Sequence, residues 1–196
     1  LTAYTGMDAL THNLESHLST QYHPICDAIA IKGVQLTSAY LRRAVENGED
    51  IEARTNMMMA AMMGAIAFQK DLGVAHSLAH PLSTIAGLHH GLANAIVLPH
   101  TMEFNLEHAK ERLRDIAGAL GVNVSGMSLD DAARAAIVEI KRLEKDIGIP
   151  EKLRDVGVNA DMIPQLAEQA IADGCHLTNP RRCQKEDMVY LYQKCL

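Results

Sequence analysis

An all-α fold is predicted for this chain by its composition and by the spacing of its apolar residues. Apolar residues make up 48% of the 196 residues, yet aromatic residues make up only 4% and Trp is absent. Because strands favour aromatic and β-branched side chains, a core of Ala, Leu, Ile, Val and Met favours packed helices. Apolar residues also recur at three- and four-residue steps, whereas no segment has the alternation of a convincing strand.

Three helices are predicted in the first part of the chain. The first follows Thr5-Gly6, and four apolar residues mark its buried face: Met7, Leu10, Leu14 and Leu18. Pro24 suits the first turn of the second helix, which is predicted to stop at Asn47-Gly48. The third is predicted over about residues 50–71, and its Met-rich stretch, residues 57–63, is interpreted as core filler.

The segment from His76 to His100 is predicted to form a short helix, a loop and a longer helix, because Pro81 and Gly87 interrupt it. Ser128 and Asp131 have the spacing of a helix N-terminal capping pair. The longer helix of the histidine-rich segment is predicted over about residues 91–104. Further helices are predicted over about residues 107–120, 128–147, 160–172 and 185–196.

Charge and hydropathy exclude several classes of function. The 18 basic and 24 acidic residues give a net charge of −6 with no basic stripe, so nucleic-acid binding is not expected. The most apolar stretch, residues 57–68, is too short to span a bilayer, and no secretory signal is visible. The four cysteines lack a paired spacing and are interpreted as free thiols in a reducing cytoplasm. Residue 1 is Leu and the chain is predicted to enter a helix within a few residues, so the sequence is interpreted as a piece of a longer protein.

Histidines supply the strongest chemical signal. Five of the ten fall within 25 positions: His76, His80, His89, His90 and His100. Asp8 and His12 are four apart on a predicted helix, so both side chains project from one face, and His76 and His80 repeat that spacing. Imidazoles with one carboxylate suit Fe(II), Zn(II), Co(II) or Ni(II) better than Ca(II) or Mg(II). The spacing predicts a metal site but leaves open which members of the downstream group are ligands.

Other histidines and motifs carry no comparable signal. His17, His23, His108 and His176 are interpreted as ordinary surface or core residues. No GxGxxG or GxxxxGK[ST] motif is present, so any nucleotide must be held by something outside this chain. Without a Gly-x-Ser-x-Gly elbow, nothing indicates a hydrolytic serine.

Three ordered blocks of the sequence resemble signatures of the iron-dependent (group III) alcohol dehydrogenases. They are GMDALTH at Gly6–His12, HSLAHPL at His76–Leu82, and HGLANA at His90–Ala95 followed by Leu98-Pro99-His100. Weaker agreement extends through residues 153–157 to 179–181, so the match covers essentially the whole chain. The resemblance implies that residues 1–196 are the C-terminal, all-helical, metal-binding domain. It also implies an N-terminal α/β domain that binds NAD(P) and is absent from this chain.

The same resemblance implies the roles of individual residues. Carried over by motif, the metal ligands are Asp8, His12, His76 and His90. His80 matches a family histidine that lies beside the metal without ligating it, and that would relay the alcohol proton. His89 stands where many relatives have another residue, often Pro.

The resemblance also implies the chemistry. The ion would be Fe(II), with Zn(II) as the alternative, and the reaction a reversible hydride transfer between a small primary alcohol or aldehyde and NAD or NADP. A homo-oligomer is expected from the family. This chain alone is expected to be inactive, because half of the active-site cleft would belong to the absent domain.

Two rival interpretations stand beside this one. A zinc-dependent glycerol dehydrogenase or dehydroquinate-synthase-like enzyme would use a related helical domain with fewer histidine ligands, and the complete set of four argues against it. A non-catalytic helical module that binds metal or mediates association is compatible with the Met-rich helix and the missing nucleotide motif. A Gly-rich βαβ region encoded upstream would favour the enzyme.

Overall fold

The computed structural model describes all residues, 1–196, and confirms the all-α prediction, since it contains nine α-helices and no strand. The helices are α1 (Thr2–Leu18), α2 (Pro24–Glu46), α3 (Ile51–Ala67), α4 (Val74–Thr84), α5 (His90–Asn105), α6 (Lys110–Ala119), α7 (Leu129–Asp146), α8 (Ile163–Ala172) and α9 (Lys185–Cys195). Short 3-10 turns follow α3 and α5 and join several later helices.

Local capping explains several of the observed helix starts. Pro24 occupies the first turn of α2, where its missing N–H costs nothing. Ser128 Oγ accepts a hydrogen bond from the Asp131 backbone N–H at 3.1 Å and donates to the Asp131 carboxylate at 2.7 Å. The predicted capping pair is therefore confirmed, and it satisfies one of the unpaired N–H groups of the first turn of α7.

The break in the histidine-rich segment comes at Gly87 rather than at Pro81. Pro81 lies inside α4, so the prediction that it interrupts the helix is wrong. Gly87 adopts a φ of 71°, a left-handed conformation that favours glycine. The chain then turns, with the Leu88 N–H donating to the Leu82 carbonyl oxygen at 3.1 Å, and α5 begins at His90.

The Met-rich stretch of α3 is mostly on the surface, which corrects the prediction that it fills the core. Met58 is 74% exposed and Met62 is 50% exposed. The buried side of α3 is made of small residues, among them Ala60 and Gly64, which allow it to approach α1 closely. The bulky side chains consequently point away from that contact, because close helix approach leaves no room for them.

Helix α1 lies at the centre of the fold, with 12 of its 17 residues buried. It packs against α2, α3 and α5, while α4 packs between α5 and α8. A cluster of 45 buried apolar residues runs from α1 to α9 and forms the main core. No helix combines the length and apolarity needed to cross a membrane, and all four cysteines are free. This packing places the histidine-rich segment directly against α1.

Candidate metal centre

One aspartate and two histidine side chains, from three different helices, converge at one point. Asp8 on α1, His76 on α4 and His90 on α5 have potential ligand atoms that all lie within 4.8 Å of one another. Asp8 Oδ1 is 3.3 Å from His90 Nε2 and 4.0 Å from His76 Nε2. Residues that are up to 82 positions apart in the sequence therefore form a single cluster of donors.

His12, the fourth predicted ligand, adjoins this cluster. Its ring centroid is 4.5 Å from that of His76, but its nitrogen atoms lie outside the 4.8 Å group. His12 Nδ1 donates to the Asp8 backbone oxygen at 2.8 Å, across one helical turn. That bond leaves Nε2 as the nitrogen available for a metal ion.

The close approach of α5 to α1 depends on the glycine that follows His90. A Cβ atom added at Gly91 would lie 2.1 Å from the Tyr4 carbonyl oxygen and 3.2 Å from Asp8 Cβ. Any larger residue would therefore push the start of α5 away from α1. His90 and Asp8 can meet because position 91 has no side chain.

Glu15, which no sequence motif singled out, is a buried carboxylate that contacts His76. Its carboxylate is 3% exposed and accepts a hydrogen bond from His76 Nδ1 at 2.7 Å. It also accepts the backbone N–H groups of Gly73 at 3.0 Å and of Ala75 at 2.7 Å, which start α4. Glu15 thus fixes both the helix start and the His76 ring, and it directs the lone pair of His76 Nε2 towards Asp8.

Asn94 is the second residue that the sequence analysis missed, although it lies in the HGLANA block. Its side-chain Nδ2 donates to Asp8 Oδ1 at 2.8 Å and lies 3.1 Å from His90 Nε2. Asn94 is one helical turn from His90 and is completely buried. The amide therefore orients the carboxylate and the imidazole relative to each other.

His80 lies beside the cluster rather than in it, and it has its own partner. Its ring stacks on that of His90 at 5.3 Å with an interplanar angle of 17°, and its Nδ1 donates to Asp173 Oδ2 at 2.7 Å. Asp173 also accepts hydrogen bonds from Ser77 Oγ at 2.9 Å and from the Cys175 backbone N–H at 2.8 Å. Burial opposes ionisation, but these three hydrogen bonds lower the pKa of Asp173 to about 2.

His89 has a structural position distinct from that of His90. Its Nδ1 accepts the Gly91 backbone N–H at 3.2 Å and caps α5, while its ring packs 5.6 Å from that of Tyr4. Of the four downstream histidines that spacing left open, His76 and His90 join the donor cluster with Asp8. A cavity of about 280 Å³ opens beside Asp8 and His12 and is also lined by Phe68.

The residues present fit a divalent transition-metal ion. His76 Nε2 is buried and has no hydrogen-bond partner, which is costly for a polar atom unless something binds it. Burial lowers the pKa of both His12 and His90, and this favours the neutral imidazole that a metal needs. Imidazole nitrogens with one carboxylate form a donor set typical of iron or zinc.

Comparison with known proteins extends the likeness along the whole chain. The sequence model of the Fe-containing alcohol dehydrogenase family, C-terminal part, matches residues 2–196. A 1,3-propanediol dehydrogenase from Klebsiella pneumoniae is 42% identical over 195 residues, covering 99% of this chain and 50% of that protein. An NAD-dependent methanol dehydrogenase from Bacillus methanolicus is 41% identical over 197 residues, which are 100% of this chain and 52% of that protein.

Solved structures agree with these sequence relatives. A crystal structure of 1,3-propanediol oxidoreductase superposes with a TM-score of 0.98 at 41% identity, covering 100% of this chain and 52% of that one. An alcohol dehydrogenase from Oenococcus oeni superposes with a TM-score of 0.97 at 38% identity, covering 100% and 51%. The chain thus spans about half the length of the relatives that it matches.

Proposed function

The chain belongs to the iron-containing alcohol dehydrogenase family, and from that premise we propose that it is the metal-binding, helical half of a nicotinamide-dependent alcohol dehydrogenase. Residues 1–196 form its metal-binding domain, and a preceding N-terminal α/β domain binds NAD or NADP. That division is supported by the length of the relatives, of which this chain covers about half, and by the absence of a phosphate-binding glycine motif here.

The observation that carries the proposal is the convergence of Asp8, His76 and His90 around a buried His76 nitrogen that has no hydrogen-bond partner. We assign these three residues and His12 as the metal ligands, with Fe(II) as the ion and Zn(II) as the alternative. His12 is included because its ring packs against that of His76, with 4.5 Å between the ring centroids.

The residues of the chain supply binding, orientation and proton transfer. Asp8, His12, His76 and His90 would hold a divalent ion that would supply Lewis acidity for a substrate oxygen, and NAD(P) bound by the N-terminal half would supply the hydride chemistry. His80 Nε2 takes up the hydroxyl proton when the alcohol is oxidised, because its Nδ1–H is already committed to Asp173. The Asp173 carboxylate then stabilises the resulting imidazolium. In the reverse direction His80 returns the proton to the product oxygen.

The substrate is a small primary alcohol or its aldehyde. This class follows from the relatives, which are named for 1,3-propanediol, lactaldehyde and methanol. The cavity of about 280 Å³ beside Asp8 and His12 has the size for a short carbon chain. The assembled enzyme is proposed to be a homo-oligomer, as its family resemblance implies.

Metal binding and turnover test the proposal separately. We expect this chain to bind one Fe(II) or Zn(II) per molecule, and His76→Ala to abolish that binding. His108→Ala is the matched control, because His108 is exposed, lies in the turn after α5 and is not part of the donor group. Full-length protein that includes the N-terminal half should oxidise 1,3-propanediol with NAD(P), whereas this chain alone should not.

Three outcomes would contradict the proposal. Equal metal content in the wild type and in His76→Ala would show that the metal is not bound at the assigned site. Full turnover by a metal-free His76→Ala full-length enzyme would exclude the ion from the reaction. NADH oxidation by residues 1–196 alone with lactaldehyde would show that the N-terminal half is unnecessary.

A further inference from the structure

A second cavity, of about 410 Å³, is lined by a high density of basic side chains. It lies between the C-terminal part of α5, the end of α7, the turn after α7 and the end of α9. Its charged lining consists of His100, Lys141, Glu144, Lys145, Glu151, Lys152 and Lys194. His100 is ten residues beyond His90 on α5, about 15 Å along the helix axis, so this cavity is separate from the metal centre.

The positive charge of this cavity is only partly compensated. Lys141 pairs with Glu103 at 2.6 Å, but no carboxylate lies within 4.0 Å of the ammonium groups of Lys145 and Lys152. Four lysines and two glutamates, Glu144 and Glu151, line this cavity in a chain whose net charge is −6. Convergence of unpaired cations in a concave site creates a positive potential that favours an anion.

Glu144 is the buried carboxyl in the lining of this cavity. Its Oε1 is buried without a hydrogen-bond partner, and burial raises the pKa of this carboxyl well above its usual range. Burial therefore favours the protonated form of this carboxyl over the carboxylate.

The pKa of His100 responds to the lysine charges of the cavity. Burial lowers the pKa of His100, Glu103 opposes that effect, and the ammonium groups of Lys141 and Lys194 lower the pKa further. His100 belongs to the Leu98-Pro99-His100 block, to which the metal centre gives no role.

We propose that this cavity is a binding site for a small organic dianion, either a phosphate ester or a dicarboxylate. The anionic groups contact Lys145 and Lys152, two lysines of the lining that have no carboxylate partner. Charge-assisted hydrogen bonds of this kind are the strong ones in proteins. The carbon skeleton of the ligand lies against the apolar wall that Ile149 and Pro150 provide. This proposal is independent of the proposed dehydrogenase function.

The imidazole resonances of the Zn(II)-loaded chain provide a direct test by NMR. We would titrate inorganic phosphate and, separately, succinate near neutral pH and at constant ionic strength. The His100 resonances should shift and saturate. Lys145→Gln combined with Lys152→Gln should weaken binding about tenfold or more, the effect of losing two charge-assisted contacts. Lys32→Gln combined with Lys185→Gln is the matched control, because it removes two exposed lysines outside the cavity and should leave binding unchanged.

The two probes distinguish the ligand sources. Saturation with phosphate alone assigns a phosphate ester, saturation with succinate alone assigns a dicarboxylate, and either supports the site. Resonances of His100 that do not move, or equal weakening in both double variants, would overturn the proposal. Shifts confined to His12, His76, His80 and His90 would also overturn it, since they would place the anion at the metal centre.

Discussion

Glu15 and His76 are 61 positions apart, yet Glu15 Oε2 lies 2.7 Å from His76 Nδ1 and both side chains are almost completely buried. A histidine that donates one ring N–H to a carboxylate presents its other nitrogen as a fixed, more basic ligand. Because Glu15 also binds the backbone of Gly73 and Ala75, the orientation of His76 and the start of α4 are set by one group.

Replacing Glu15 with Gln should weaken Zn(II) binding about 10- to 100-fold, as typical changes next to metal ligands do. Gln has one acceptor oxygen where Glu15 uses two, so either His76 Nδ1–H or the Ala75 N–H loses its acceptor, and the His76 ring no longer faces a negative charge. Chelator competition measures the affinity, and ¹⁵N NMR of His76 reports the tautomer. Glu111→Gln, an exposed change, serves as the control. An unaltered affinity with the same His76 tautomer would contradict this role.

Gly91→Ala should destabilise the chain and weaken metal binding together. The new methyl group would lie 2.1 Å from the Tyr4 carbonyl oxygen, so α5 must move and take His90 with it. We expect a loss of about 1–3 kcal/mol in the free energy of unfolding, as is typical of overpacking. Gly118→Ala is the matched control in α6, where nothing lies within 4 Å of the added Cβ. That substitution should stabilise the helix by about 0.5–1 kcal/mol. Urea unfolding compares the two, and equal effects would exclude the close-approach argument.

His80→Ala should retain the metal but slow turnover of the full-length enzyme about 100-fold or more, the usual effect of losing a general acid–base group. Asp173→Asn should act in the same direction but more weakly, because it removes the partner of His80 and leaves the ring in place. Metal content and the pH dependence of kcat measured together distinguish proton transfer from a folding defect. If His80→Ala lost its metal as His76→Ala does, His80 would be a ligand instead.

His17 should make the stability of the chain depend on pH between about 6.5 and 4. Burial, reinforced by Arg112, lowers the pKa of His17 to about 4, and neither ring nitrogen has a hydrogen-bond partner. Below pH 6.5 the unfolded chain binds a proton that the folded chain does not, so stability falls as the pH falls towards 4. The loss at pH 5 relative to pH 7.5 should be about 2 kcal/mol.

The pH effect is isolated by comparison with a variant that cannot titrate. Urea unfolding of metal-free protein at both pH values should show that His17→Gln removes this part of the pH dependence. Its unfolding free energy should therefore fall less between the two pH values than that of the wild type. Parallel losses in both proteins would assign the effect to other groups.

Truncation to Ala should have a small effect on stability at Met58 and a large effect at Met7. Met58→Ala should change the unfolding free energy of this chain by about 0.5 kcal/mol or less, because the side chain is 74% exposed. Met7→Ala should cost about 2–5 kcal/mol, because Met7 is completely buried in α1. Thermal or urea unfolding of the two variants measures the difference. A large loss for Met58→Ala would mean that the Met-rich face of α3 is covered.

The helices themselves were predictable from local signals. The observed starts at Pro24 and Leu129, and the end of α2 at Glu46, lie within about two residues of expectation. Proline, capping side chains and apolar periodicity act within one or two turns, so a single sequence is enough to read them. Pro81 misled the prediction because a helix stabilised by tertiary packing can retain a proline near its C-terminal end.

The helical class, most helix limits, and the histidine and aspartate candidates for a metal site could be predicted from the amino-acid sequence. Each of these features depends on residues that are close together in the chain. Three features could be seen only in the tertiary structure. Asp8, His76 and His90 meet in one cluster, and His89 instead caps a helix. Glu15 is the carboxylate that accepts the hydrogen bond from His76. The tertiary structure also shows that Met58, Met59 and Met62 of α3 are exposed. The physical reason is that these outcomes depend on which helix faces pack together, and periodicity alone does not identify the partner of a face.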